Sequence, residues 1–315
     1  MKILITGATG LVGTEIVALC KKQHIAVHYL TTRKKKIGSI AGCRGFLWNP
    51  SKGEIDIQCF EGVTVIINLA GASIAKRWTK AYKKTILASR IDSLKTLRKG
   101  LKESNVAGVN ALVTASAIGI YPNSYANFYD ESNQDIDPSF LGEVVAAWEV
   151  EASHFANLGL AVAKIRIGLV LSAFGGALTE MTKPIKNYMG AAFGTGKQWQ
   201  SWIHIHDLAK IFLFAAKQNL EGVYNGVSPN PVTNRKLTKA IANSINKPLF
   251  LPNIPKVMMK AILGEMAYIL FASQRVSSKK IEEAGYVFTY STIEPALTQV
   301  YWSMEKENSP NPIVN

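Results

Sequence analysis

Three glycines recur at a spacing of three near the start of the chain, in Gly7-Ala8-Thr9-Gly10-Leu11-Val12-Gly13. This spacing serves geometry rather than proton transfer. Gly7 permits a sharp turn out of a strand, Gly10 lets the backbone approach a pyrophosphate, and Gly13 lets a helix close on that strand. The helix N-terminus that follows offers free N–H groups and partial positive charge to phosphates. Gly7, Thr9, Gly10, Leu11, Val12 and Gly13 are therefore expected to cradle a dinucleotide. Its adenosine end would meet Tyr29-Leu30-Thr31-Thr32-Arg33. A site selecting NAD(H) carries Asp or Glu there for the ribose 2′-hydroxyl. This chain has Thr32 and Arg33, then Lys34, Lys35 and Lys36. A guanidinium pairs with a 2′-phosphate that a carboxylate would repel, so NADP(H) is expected over NAD(H). Asn68-Leu69-Ala70-Gly71, ending a buried apolar run, supplies small residues for a second wall of the same crevice.

Farther along, Ala115 and Ser116 end another apolar run, where a serine beside the crevice can hydrogen-bond a substrate oxygen or a nicotinamide amide. Arg90 and Arg166 could reach cofactor phosphates, ribose or an anionic substrate. His204 and His206, with Asp207 adjacent, would share one side of a strand. The other histidines, His24, His28 and His154, lie far off in sequence, and no metal site is expected.

These residues need elements to hold them. Lys2–Thr6, His24–Thr32, Val63–Asn68, Asn110–Thr114 and Leu160–Gly168 read as short apolar strands. Between them Leu11–Gln23, a basic stretch from Lys76 to Lys102, and Pro138–Asn157 read as helices. Strands alternating with helices predict a doubly wound, parallel α/β sheet covered on both faces. Beyond about residue 170 glycines punctuate a loop-rich stretch before a helix over Leu208–Gln218. Met258–Phe271, apolar on nearly all sides, predicts a buried helix or a subunit contact, and either a monomer or a homodimer is compatible. The Pro- and Asn-rich end from Asn308 reads as a frayed tail.

The apolar fraction, 48%, excludes bulk disorder, and no run of about 18 apolar residues predicts a membrane span. A strand opening directly at Met1 leaves no export signal, and Cys20, Cys43 and Cys59 are scattered like reduced thiols, so a cytoplasmic location is expected. Residues 1–110 hold 19 of the 36 basic residues but only 6 of the 22 acidic ones. That half welcomes an anion; without a zinc finger, helix-turn-helix or aromatic-interleaved basic strand, nucleic acid is not expected as a partner.

Gly7xxGly10xxGly13 with Asn68-Leu69-Ala70-Gly71 resembles the extended short-chain dehydrogenase/reductase superfamily. Ala72-Ser73-Ile74, Arg77-Trp78-Thr79, Ala115-Ser116-Ala117-Ile118-Gly119-Ile120-Tyr121, Ala147-Trp148-Glu149, Arg166-Ile167-Gly168-Leu169, Gly194-Thr195-Gly196-Lys197-Gln198-Trp199 and Glu283-Ala284-Gly285-Tyr286 narrow it to the atypical YfcH-like branch, the epimerase family. The resemblance implies a Rossmann NAD(P)-binding domain over 1–235, with segments of 170–205 joining a substrate lobe. It implies a smaller C-terminal α/β lobe, the family's domain of unknown function, over 236–300, and a tail over 301–315. The superfamily's usual proton handling is a Tyr with a Lys four residues on, beside a Ser. Ser116 matches. The Tyr and Lys positions fall near Leu141 and Val145, and no Tyr-xxx-Lys occurs in Asp130–Asn157. Tyr121, five residues after Ser116, and Glu143, near the vacated position, are the expected substitutes. Trp199, Trp202 and His204 lie in the implied substrate lobe, and Trp78 is expected with them at the substrate. The implied activity is an NADP(H)-dependent oxidoreductase or epimerase acting on a small carbonyl or sugar-nucleotide-like molecule; a non-catalytic NADP(H)-sensing or scaffold protein is the alternative.

Overall fold

The computed structural model describes residues 1–308, with side chains through Met304. Runs of aliphatic and β-branched residues form strands β1 (Lys2–Thr6), β2 (Ala26–Thr31), β3 (Arg44–Asn49), β4 (Glu54–Ile55), β5 (Val65–Asn68) and β6 (Ala111–Ala117). With Ala161–Ile167 and Gly222–Gly226 they make an eight-stranded sheet in the order Gly222–Gly226, Ala161–Ile167, β6, β5, β1, β2, β3, β4. The pairs β1/β2, β1/β5, β5/β6 and β2/β3 are parallel, while β4 turns back antiparallel on β3. Helices α1 (Leu11–Lys22), α2 (Lys80–Glu103) and α3 (Phe140–Ser153) serve the crossovers such a sheet needs. The chain proceeds from β1 outward through β2 and β3, then returns to lay β5 on the other side of β1. That reversal opens a crevice at the C-terminal ends of β1 and β5, where open α/β sheets take ligands.

The chain divides into two compact units that interleave. The first comprises Met1–Pro122, Gln134–Arg166 and Ala209–Tyr224. The second comprises Asn123–Asn133, Ile167–Leu208 and the chain from Asn225 on. The second unit draws on segments far apart in sequence, because small strand pairs recruit them. Trp202–His204 pairs with Leu169–Leu171, Trp199–Gln200 with Val232–Thr233, and Arg275–Val276 with Phe128–Tyr129. Its core gathers Leu171, Trp202, Leu237, Ile241, Leu297 and Val300. The last helix, Ile293–Asn308, runs through the first residues expected as tail; the rest of that tail lies outside the described residues.

The apolar stretch Met258–Phe271 is not a buried helix. Gly264, at φ +62°, breaks it between α-helices Lys256–Leu263 and Tyr268–Phe271. The first of these buries no residue and leaves Val257 and Ile262 at 81% and 61% exposure. Among the described residues no helix is long and apolar enough to cross a membrane.

Candidate functional site

The turn after β1 is built as its glycines require. Gly7 sits at φ +71°, and a Cβ there would stand 3.2 Å from the Leu69 backbone, so the turns leaving β1 and β5 touch. Gly10 N donates to Gly7 O at 2.9 Å, and a Cβ on Gly13 would fall 2.2 Å from that same oxygen. No side chain larger than hydrogen fits there. Gly10 caps α1 without a side-chain acceptor, and the first turn carries no acid. Leu11 and Val12 are half-buried in that turn, while Thr9 is exposed at the mouth. This cradle fits a pyrophosphate.

Thr32 and Arg33 are exposed just past β2. Tyr29, fully buried, donates its hydroxyl to Lys36 O at 2.7 Å and pins the basic turn; Lys36 Nζ then donates to Thr9 Oγ1 at 3.3 Å. The lysine turn thus lies beside the glycine crook. Tyr29 was missed in the sequence, because nothing in β2 marks its hydroxyl as a strut rather than core.

Asn68 is turned into the protein. It is fully buried, its Oδ1 accepting from Thr6 Oγ1 at 2.7 Å and its Nδ2 donating to Thr114 Oγ1 at 3.1 Å. Thr6 Oγ1 in turn accepts from the N–H groups of Leu69 and Ala70. Asn68 therefore ties the ends of β1, β5 and β6 together and shapes the turn that presents Leu69, Ala70 and the exposed Gly71. Against that turn lies Arg90, donating to Ala72 O and Ile86 O, with its guanidinium carbon 5.0 Å from the Trp148 ring centroid. Burial pulls Arg90 down to about 10, still a cation at neutral pH. No acid pairs with it among the described residues, which leaves its charge for an incoming anion.

Ser116 and Tyr121 are brought into one hydrogen-bonded cluster, but not with Glu143. Glu143 is exposed on α3, outside that cluster. Glu149, one helical turn beyond Val145, occupies the interior instead. Its Oε1 accepts from Ser116 Oγ at 2.6 Å and from Arg166 Nε at 2.8 Å, and its Oε2 accepts from Arg166 Nη2 at 2.9 Å. Arg166 Nη1 donates to Tyr121 Oη at 3.0 Å. Burial alone would lower Arg166, but its bonds and proximity to Glu149 carry it upward. Arg166 is thus an internal counter-ion to Glu149. Tyr121 is fully buried and Ser116 nearly so, at 0% and 2%; Ala115 beside it is also buried. Since an ionised carboxylate only accepts, Ser116 must give its one proton to Glu149 and keeps only lone pairs for any other partner.

The remaining aromatic candidates divide. Trp78 is buried, packing edge-on against Phe140 at 5.3 Å and donating its Nε1 to Ile74 O. Trp202 is fully buried with its Nε1 on Asn230 O, so it offers no stacking face. His204 is equally internal: its Nε2 meets Gln299 Oε1 at 2.7 Å, its Nδ1 accepts from His206 N, and its ring lies on Tyr290. The strand ends at His204 and a helix starts at Ile205, so His206 does not share its face. Asp207, fully buried, accepts from Tyr286 Oη and from the Thr289 and Tyr290 N–H groups. Trp199 alone of this group is half-exposed, its Nε1 donating to Tyr125 O at 3.3 Å.

With that geometry in place, comparisons with known proteins carry further. The sequence matches the NAD dependent epimerase/dehydratase family over residues 3–227 and a domain of unknown function, DUF1731, over residues 254–300. An epimerase family protein of Staphylococcus aureus (strain MRSA252) is 36% identical over 300 residues, covering 93% of this chain and 97% of that protein. The human epimerase family protein SDR39U1 (isoform 2), solved with NADPH, superposes with a TM-score of 0.83 at 27% identity. The match covers 95% of this chain and 99% of that one. The nucleoside-diphosphate sugar epimerase from Corynebacterium glutamicum gives a TM-score of 0.76 at 27% identity, over 95% of this chain and 58% of that one. With a family model matched over residues 3–227 and a relative 36% identical over nearly its full length, this chain belongs to the NAD dependent epimerase/dehydratase family.

Proposed function

We propose that this chain is an NADP(H)-dependent oxidoreductase or epimerase-like enzyme acting on a small carbonyl or sugar-nucleotide-like substrate. The carrying observation is the glycine crook at the β1/β5 reversal, bordered by Arg33 and a lysine turn where a carboxylate would select the unphosphorylated cofactor. The NADPH reported with the human relative agrees with this reading. Bound NADP(H) supplies or accepts the hydride.

The chain's own residues do the rest. The first turn of α1 faces the pyrophosphate, Arg33 and Lys36 address the 2′-phosphate, and Arg90 adds cationic charge beside Gly71. Ser116, its proton committed to Glu149, acts as an acceptor. A substrate hydroxyl that donates to Ser116 Oγ can pass its proton on as Ser116 hands its own to Glu149 Oε1. Arg166 holds that carboxylate, and Tyr121 holds Arg166. This arrangement replaces the absent Tyr-xxx-Lys pair and leaves Glu143 out.

A second reading, an NADP(H) sensor or scaffold without turnover, has one observation in its favour: Ser116 and Tyr121 are buried and bonded inward. Calorimetric titration with NADPH and NADH tests the shared premise. Tighter binding of NADPH is expected, with Arg33→Ala lowering NADPH affinity about tenfold and leaving NADH unchanged. Indifference to both dinucleotides refutes it. Turnover of NADPH by carbonyl substrates that is lost in Ser116→Ala favours the enzyme; NADPH binding without turnover of any carbonyl class favours the sensor.

A further inference from the structure

We infer that Arg275 is the residue by which this chain reads an oxyanion, carboxylate or phosphate, on its small-molecule substrate; this deepens the function proposed above and rests on it. Arg275 lies in the second unit, in the strand Arg275–Val276. Its guanidinium carbon is 4.6 Å from the Trp199 ring centroid and 4.9 Å from that of Phe128. Three other arginines have acids: Arg98 meets Glu151, Arg166 meets Glu149 and Arg44 meets Glu61. Among the described residues no acid and no hydrogen-bond acceptor meets the Arg275 guanidinium, and its Nε is buried without a partner. A buried donor left unmade is costly, and native structures seldom carry one without a use. Filling space between two rings calls for an apolar side chain instead.

The surroundings hold the group still. Arg275–Val276 pairs with Phe128–Tyr129 on one side. On the other, Gln274 N donates to Trp199 O, while Ser201 Oγ donates to Gln274 O and accepts from Val276 N. Trp199 is itself fixed by Tyr125 O and Ser273 Oγ. Rings against a guanidinium occupy its faces and leave its N–H edge in plane, the edge that grips a planar oxyanion with two parallel bonds. Phe128 is 53% exposed, so solvent-borne ligand reaches the cluster.

The test uses full-length protein saturated with NADPH and three probes: phenylacetate, its neutral isostere phenylacetamide, and inorganic phosphate. The Arg275 Nε–H resonance of ¹⁵N-labelled protein and tryptophan fluorescence are followed together, with Trp199→Phe identifying the reporter. Phenylacetate, phosphate or both are expected to shift the Nε–H signal and quench Trp199, and the amide is not; which anion responds names the substrate class. Arg275→Met and Arg275→Lys are each expected to weaken the responding anion about tenfold or more while NADPH binds as in the parent. Should Arg275→Met not fold, the lysine variant and the Nε–H signal decide. Silence toward both anions, an equal response to the amide, or parental anion affinity in Arg275→Lys overturns the inference. NADPH binding with a silent Arg275 removes only this inference. Failure to bind NADPH removes the function proposed above, and the same titration on the free protein still decides whether Arg275 takes an oxyanion.

Discussion

Replacing Glu149 by glutamine keeps the shape of the side chain and removes its charge from a nearly dry site. The Glu149 and Arg166 side chains are only 10% and 8% exposed, and three donors converge on the carboxylate. A glutamine amide nitrogen cannot accept, so at least one of these bonds fails and the Arg166 charge is left buried without a counter-ion. Breaking such a pair from one side costs about 3–5 kcal/mol. Glu149→Leu with Arg166→Met removes both charges; its cost falls below that of the single change, at about 1–3 kcal/mol for the Ser116 hydroxyl that loses its acceptor. Ser116→Ala leaves the ion pair standing and costs about 1.5–3 kcal/mol for the lost bond to the carboxylate. Urea unfolding of the four proteins measures all of this through the midpoint at unchanged slope. A Glu149→Gln protein within about 1 kcal/mol of the parent, or a double variant weaker than the single, refutes the claim that this pair is desolvated and mutually dependent.

Two further outcomes follow from buried titratable groups. Desolvation holds the folded-state pKa of His28 below its ordinary 6.5, so the neutral ring's contribution is full above that value and declines as pH falls toward the depressed one. Urea midpoints from pH 7 down to about 5 should therefore drop in the parent, and less steeply in His28→Phe, which keeps the contact with Phe46; parallel curves would contradict this. Cys20 and Cys59 are fully buried, with burial pushing the Cys20 thiol up to about 12 and Cys59 upward too, whereas Cys43 is half-exposed. A thiol reagent should label Cys43 first in native protein and all three after denaturation, as mass spectrometry of the labelled peptides would show.

The parallel half of the fold was legible because β1, β5 and β6 are mostly apolar runs, and a glycine-spaced turn has few other uses. β3 escaped notice although Phe46 and Trp48 are buried around an exposed Leu47; it lies near the sheet edge and opens with Arg44-Gly45. The apolar composition of Met258–Phe271 concealed the left-handed Gly264 that breaks it. At the site, Ser116 announced itself as a strand end, but the Glu149–Arg166 pair did not. Each looks like an ordinary charge on its own element, and only packing α3 beside the end of Ala161–Ile167 joins them. The signal available was spacing: Glu149 falls four residues past Val145, on the same helical face. Trp202 and His204 attracted attention for their chemistry, yet pairing with Leu169–Leu171 turned both inward.

The hydrogen-bonded chain from Thr6 through Asn68 to Thr114 fixes the floor of the nucleotide crevice before anything enters it. Three strand ends are riveted by side chains that water cannot reach, so the order a ligand would otherwise impose on those turns is already present in the free protein. On the function proposed above, adaptation on binding falls to the exposed rim at Thr32, Arg33 and Gly71, and discrimination between nucleotides to the edge of the cleft, while its base stays constant.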